Sequence, residues 1–175
     1  MAQPSSEPEQ PTLLHPARGY ADRPVPLAGR AALSAGFTVA IGAGALAARR
    51  AGLRWPERLA TADVVAAGVA TYKLARIISK DKVTTFARAP FTEFKEGAGR
   101  GEIEEAPRGG PLRRAVGELL TCPYCLSVWI ASGFAGGLVA APRPTRVAIA
   151  ALDMVALSDA LQMIDRAAAR TLMDS

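Results

Sequence analysis

The chain has 175 residues, 50% hydrophobic and 6% aromatic, with a formal charge of +5 and a pI near 9.7. That length allows one domain with tails, and two cysteines three positions apart exclude a secreted disulfide scaffold. The basic residues flank apolar runs and no nucleic-acid motif is present, so the charge argues for a membrane and against nucleic acid. Much of the apolar content is Ala, Gly, Val and Leu, which suits close helix packing in lipid better than a large aqueous core.

Residues 1–30 carry Pro4, Pro8, Pro11, Pro16, Pro24 and Pro26 among Gln, Ser and Glu. Such a segment cannot bury a core and reads as a disordered leader. It holds the single histidine, His15. Residues 31–48 are free of charge between Arg30 and Arg49-Arg50, just long enough for a first span. The other reading is a signal segment, because Ala45-Leu46-Ala47 resembles a small-residue cleavage site, although the leader is long for one. Trp55-Pro56-Glu57 reads as an interfacial turn with Pro56 at a helix start. The second candidate span, 59–78, contains Asp63, Lys73 and Arg76, and its uncharged centre is only Val64 to Tyr72. Long basic side chains near a helix end snorkel to the interface; the alternative is an amphipathic helix on the membrane surface.

Residues 79–118 form a charged loop with eight Lys/Arg and seven Asp/Glu. Gly97, Gly99, Gly101, Gly109 and Gly110 predict a flexible middle, and Phe86, Phe91 and Phe94 flank Pro90 within reach of headgroups. Leu112, Val116, Leu119 and Leu120 recur at helical spacing opposite Arg113, Arg114 and Glu118, which predicts a short amphipathic helix. It feeds the best-supported span, 119–142, whose 24 residues include no Asp, Glu, Lys or Arg. About 20 such residues cross a hydrocarbon core roughly 30 Å thick. Arg143, Pro144 and Arg146 mark a tight turn before a fourth candidate, 147–164, which carries Asp153 and Asp159. A helix on the membrane surface is the alternative there too.

The expected fold is all-α: a polytopic membrane protein with three or four transmembrane helices in a membrane domain over 31–166, followed by a tail over 167–175. With the N-terminus inside, 15 of the 21 Lys/Arg are cytoplasmic or at that interface. That predicts a multi-pass protein of the cell membrane with both termini cytoplasmic, and only Arg49-Arg50 run strongly against it.

Cys122-Pro123-Tyr124-Cys125 is the sharpest motif. Pro123 suits the first helical position and places Cys122 at the N-cap. The helix dipole there favours a thiolate, and Cys125, one turn on, is placed to resolve a mixed disulfide. The tetrapeptide equals that of glutaredoxins, but no strand precedes it and no βαβ context surrounds it. Cys122 and Cys125 are therefore the candidate catalytic residues only if the protein is redox-active. As metal ligands they supply two of the four a structural site needs, so a metal requires a dimer. The structural reading packs Cys122, Cys125 and Trp129 as one helix face.

Lys73, Arg76 and Lys80 form one helical stripe, fit for anionic headgroups, for a partner, or simply for a basic anchor. Asp153 and Asp159 are costly at membrane depth and leave a proton or ion path as an alternative. Counted from Leu59 and from Arg146, Lys73 and Asp159 fall at similar depths of about 21 and 20 Å, which predicts that they pair. Gly133 and Gly137 have the spacing of a close helix contact, either internal or across a homodimer. No phosphate loop, nucleophile elbow, dinucleotide fingerprint or zinc-protease motif is present, and no cofactor is implied.

Two blocks carry a family resemblance. The first is Ala70-Thr71-Tyr72-Lys73-Leu74-Ala75-Arg76-Ile77-Ile78 with Asp81-Lys82-Val83; the second is Gly117-Glu118-Leu119-Leu120-Thr121-Cys122-Pro123-Tyr124-Cys125 with Val128-Trp129. Together they resemble a family of small bacterial membrane proteins known only as a domain of unknown function, the thirteen-sixty family. Ser127 stands where Gly is expected before Val-Trp. The resemblance covers about 60–140 and leaves out the leader, the first span and the last helix. It implies an uncharacterised bacterial integral membrane protein and assigns no activity. The functional expectation is a structural or interaction protein of the lipid bilayer; the alternative is a membrane thiol–disulfide oxidoreductase.

Overall fold

The computed structural model describes Tyr20 and residues 25–173. Most of the Pro-rich leader, His15 included, lies outside the described residues. Six helices follow in chain order: α1 (Leu27–Arg50), α2 (Thr61–Lys80), α3 (Thr85–Arg88), α4 (Pro111–Thr121), α5 (Pro123–Ala140) and α6 (Pro142–Met173). Proline opens α4, α5 and α6, where its missing N–H and fixed φ suit the first turn. Three helices, α1, α5 and α6, are long and apolar enough to cross a membrane. Their 24, 18 and 32 residues extend about 36, 27 and 48 Å at 1.5 Å per residue. The last of these runs past 164 and through the expected tail to Met173.

The fold is mostly helical but not all-α. Strands β1 (Thr92–Gly99) and β2 (Glu102–Pro107) pair as an antiparallel hairpin inside the charged loop. The expectation of a flexible middle rested on its glycines, and those glycines make the turn instead. Gly99 pairs with Glu102, and the two residues between, Arg100 and Gly101, both have positive φ, at 52° and 79°. This is the left-handed geometry of a two-residue turn that matches strand twist. The segment Thr-Glu-Phe-Lys-Glu-Gly-Ala-Gly has little strand propensity, so nothing local announces β1.

α2 is the central helix and packs on both α5 and α6. Small residues on it admit close neighbours: Ala70 is fully buried with Leu138 of α5 and Ile149 of α6, and Leu59, Ala66, Ala67, Phe134 and Leu152 close around them. Two ion pairs set α2 and α6 parallel. Arg146 grips Asp63 through Nε at 2.9 Å and Nη2 at 2.7 Å near the start of both helices. Further along, Lys73 Nζ donates to Asp159 at 2.5 Å.

The bundle therefore has two different ends. At one lie the α1–α2 and α5–α6 connections. At the other lie the start of α1, the end of α2, the hairpin, α4 and both cysteines. α4 crosses α1 closely at Gly29, where a side-chain methyl would sit 2.7 Å from the Ala115 Cβ. The hairpin turn reaches α6, with Arg100 Nη1 3.7 Å from Met163 Sδ.

Candidate functional site

The cysteines take the positions that Pro123 dictates. Cys122 is the N-cap of α5 and Pro123 its first residue. The Cys122 sulfur accepts the Cys125 backbone N–H at 3.2 Å, satisfying one of the amides a helix start leaves unpaired. Both thiols are free; Cys122 is half-buried and Cys125 exposed. Cys125 opens onto a cleft of about 420 Å³ between α1, α4 and α5. Arg30 and Glu118 form one wall, with Arg30 Nε donating to Glu118 at 2.9 Å. Phe37 and Trp129 also line the cleft, their rings meeting edge to face at 4.9 Å. Trp129 and Cys125 thus line the same cleft, and Trp129 contacts α1 through Phe37.

The basic stripe is met from inside the chain. Lys73 pairs with Asp159, Arg76 with Glu102, and Lys80 with both oxygens of Glu104 at 3.0 and 2.9 Å. The match of helix to strand is metrical. Four residues of helix rise about 6 Å and two of strand about 6.7 Å, so Arg76 and Lys80 keep step with Glu102 and Glu104. With Asp63 on Arg146, all four charged residues of α2 are paired to other elements. α2 fails the apolarity of a free-standing span, yet its charges are neutralised in place.

Arg88 was not singled out by the sequence, and it organises this end of the molecule. Its side chain is fully buried. It binds Glu105, donates to the carbonyls of Ile78 at 2.7 Å and Asp81 at 3.1 Å, and reaches Thr84 Oγ1 at 2.6 Å. Thr92 Oγ1 adds a bond to Glu105 at 3.1 Å. Arg88 therefore caps the open carbonyls at the end of α2 and ties them to β2. A five-donor fork is the side chain suited to that task. The available signal was Arg76-x3-Lys80 matched by Glu102-x-Glu104-Glu105, a register visible only once β2 is known to be a strand.

The glycine pair divides. A methyl on Gly137 would meet Thr145 Oγ1 at 2.7 Å, so Gly137 serves the internal turn from α5 to α6. A methyl on Gly133 meets nothing within 4 Å. Among the described residues no group of three or more His, Cys, Asp or Glu side chains is gathered to hold a metal ion. Asp153, the other carboxylate of α6, has a buried Oδ1 without a hydrogen-bond partner among the described residues.

No curated protein and no solved structure matches the chain. A family profile does match, over residues 67–165, which takes in α6 as well as the hairpin, α4 and α5. The last helix thus lies inside the family and not outside it: its ion pairs make it part of the same unit as α2, although no motif on it carries the resemblance. The chain belongs to the family described as protein of unknown function (DUF1360).

Proposed function

We propose that this is a multi-pass membrane protein in which α1, α2, α5 and α6 cross the bilayer, with the hairpin, α4 and the cysteines at the cytoplasmic face, acting as a structural or interaction protein without catalysis. The observation that carries the reading is the outward surface of the long helices. Val39, Ile41 and Leu46 of α1 and Val147, Met154, Leu157, Leu161 and Ile164 of α6 stand exposed, while only seven hydrophobic residues are buried among those described. A surface of this kind is stable against hydrocarbon and not against water. The paired charges of α2 support its place among the spans, since ionisable groups at that depth face the bundle interior and pair with one another. The excess of Lys/Arg at the hairpin end supports the cytoplasmic assignment.

The test uses an impermeant maleimide on cells that express the protein with Cys122 and Cys125 replaced by serine and one cysteine introduced elsewhere. Arg50→Cys is expected to label in intact cells, and Lys95→Cys on the hairpin only after permeabilisation. The opposite pattern inverts the orientation, and labelling of both in intact cells overturns the four-span arrangement.

One observation favours a second reading, thiol–disulfide exchange: the helix-start position of Cys122 with Cys125 one turn away. In that reaction the Cys122 thiolate attacks a substrate disulfide and releases one substrate thiol. Cys125 then attacks Cys122, releasing the second thiol and leaving an intramolecular disulfide. Alkylation of Cys122 that is already fast in mild acid, with a reversible Cys122–Cys125 disulfide in a thiol redox buffer, would select this reading.

A further inference from the structure

α6 carries two carboxylates on its inward face and only one has a cation. Its more buried positions, Ile149, Leu152, Asp153, Ala156 and Ala160, follow helical spacing, so Asp153 points toward α2 and α5 with the packed side chains. It stands seven residues beyond Arg146 and six before Asp159, about 10 Å and 9 Å along the axis. The cations at those two levels are engaged, Arg146 with Asp63 and Lys73 with Asp159. Arg76 and Lys80 lie further toward the hairpin and hold Glu102 and Glu104. α5 contributes no Asp, Glu, Lys or Arg; its titratable Tyr124 and Cys125 are at the far end, beside the hairpin. On α2, Thr71 is buried and its Oγ1 also lacks a partner among the described residues.

A carboxylate with one oxygen sealed in the bundle, no cation at its level and lipid around the helix is far less stable than the neutral acid. We propose that Asp153 is a proton-binding site at membrane depth: it holds its proton at neutral pH and reacts as a carboxylic acid. The inference rests on α6 crossing the bilayer. It sets the two acids of α6 apart: Asp159 is ion-paired with Lys73, and Asp153 carries a proton.

An apolar carbodiimide reports the difference, because it must first take the proton of the acid. The proton moves to a carbodiimide nitrogen, the carboxyl oxygen adds to the central carbon, and the resulting O-acylisourea rearranges by an O-to-N acyl shift to a stable N-acylurea with no atom lost. The full-length protein in liposomes is treated with dicyclohexylcarbodiimide, or separately with a water-soluble carbodiimide, and its peptides are weighed. Dicyclohexylcarbodiimide is expected to modify Asp153 and not Asp159, with the label declining at alkaline pH and lost in Asp153→Asn. The water-soluble reagent is expected to leave Asp153 untouched. No adduct at Asp153, or equal modification of Asp159, overturns the proposal and leaves the membrane reading standing. Modification by the water-soluble reagent overturns both, since it puts Asp153 in water. An infrared band of a protonated carboxyl that disappears in Asp153→Asn is expected in parallel; its absence from the parent protein overturns the proposal independently of reagent access.

Discussion

The Lys73 ammonium lies 2.5 Å from Asp159, joining α2 to α6 across 86 positions of sequence. The lysine side chain is 11% exposed and the aspartate 46%, so the pair sits at the edge of the α2–α6 contact with its cation inside. Leaving one partner of a fully buried pair alone costs about 3–5 kcal/mol, and less where one partner is half exposed as here, whereas replacing both by apolar residues is near neutral. Lys73→Asp and Asp159→Lys are each expected to lower the thermal midpoint in detergent sharply. The double exchange should restore most of it, and Lys73→Met with Asp159→Leu should be tolerated. Failure of the exchange to rescue would show that the two side chains are not energetically coupled.

Arg88 should be the most sensitive residue of the hairpin end. Arg88→Met strands the Glu105 carboxylate and the carbonyls of Ile78 and Asp81, a loss of about 3–5 kcal/mol. Limited proteolysis is expected to cut within 92–107 while α5 and α6 stay protected. Arg88→Lys should rescue little, because one ammonium cannot serve four acceptors spread around a guanidinium.

The hairpin turn offers a gain. Arg100 holds a positive φ of 52°, a conformation that costs an ordinary side chain about 1–2 kcal/mol. Arg100→Asn gives the Asn-Gly pair preferred in such turns and is expected to stabilise the hairpin by about 0.5–1 kcal/mol. Gly101→Val should do the reverse. Amide hydrogen exchange over residues 92–107 measures both.

Cys122 separates the structural role from the redox role. Serine preserves an N-cap acceptor and alanine removes it at a cost of up to about 1 kcal/mol. If the motif is structural, Cys122→Ser keeps the parent's stability and Cys122→Ala falls slightly below it. If it is redox-active, both variants lose disulfide exchange completely and the serine variant gains nothing over alanine. Melting curves and a thiol-exchange assay on the three proteins decide this.

The glycines of α5 are expected to differ in the same way that their surroundings do. Gly137→Leu pushes into Thr145 and should loosen α5 from α6, lowering the thermal midpoint. Gly133→Leu enters open space and should leave the monomer as stable as before. Loss of a cross-linked dimer in Gly133→Leu alone would assign a homodimer seam to that position.

What could be read from sequence alone was whatever depended on local chemistry or on simple lengths. Pro123 fixed the helix start and so the N-cap at Cys122. The apolar spacing of Leu112, Val116 and Leu119 foretold α4. Counting residues from the ends of two runs paired Lys73 with Asp159 before any contact was known. The hairpin escaped because β1 has only Thr92 and Phe94 to favour a strand, followed by Lys, Glu, Gly and Ala; it is held by Glu102, Glu104 and Glu105 reaching cations on α2 and α3, partners set by tertiary placement. For the same reason the basic stripe looked like a binding surface, and Arg88, one arginine among eight basic residues in the loop, had no local mark.

The pairing of α2 has a consequence for how the protein is made. Each charged residue near the middle of a span opposes insertion by about 2.5–3.5 kcal/mol, and every counter-charge that relieves α2 is supplied by a later segment: Glu102, Glu104, Arg146 and Asp159. When α2 emerges from the ribosome, Glu102 and Glu104 are still inside the exit tunnel, and Arg146 and Asp159 have not been synthesised. In the proposed four-span arrangement, the helix waits at the membrane surface, or beside the insertion machinery, until the hairpin has folded and α6 has arrived. In nascent chains halted before Asp159, a cysteine placed at the middle of α2 should therefore react with a water-soluble maleimide, while one at the middle of α1, which carries no such debt, is already shielded.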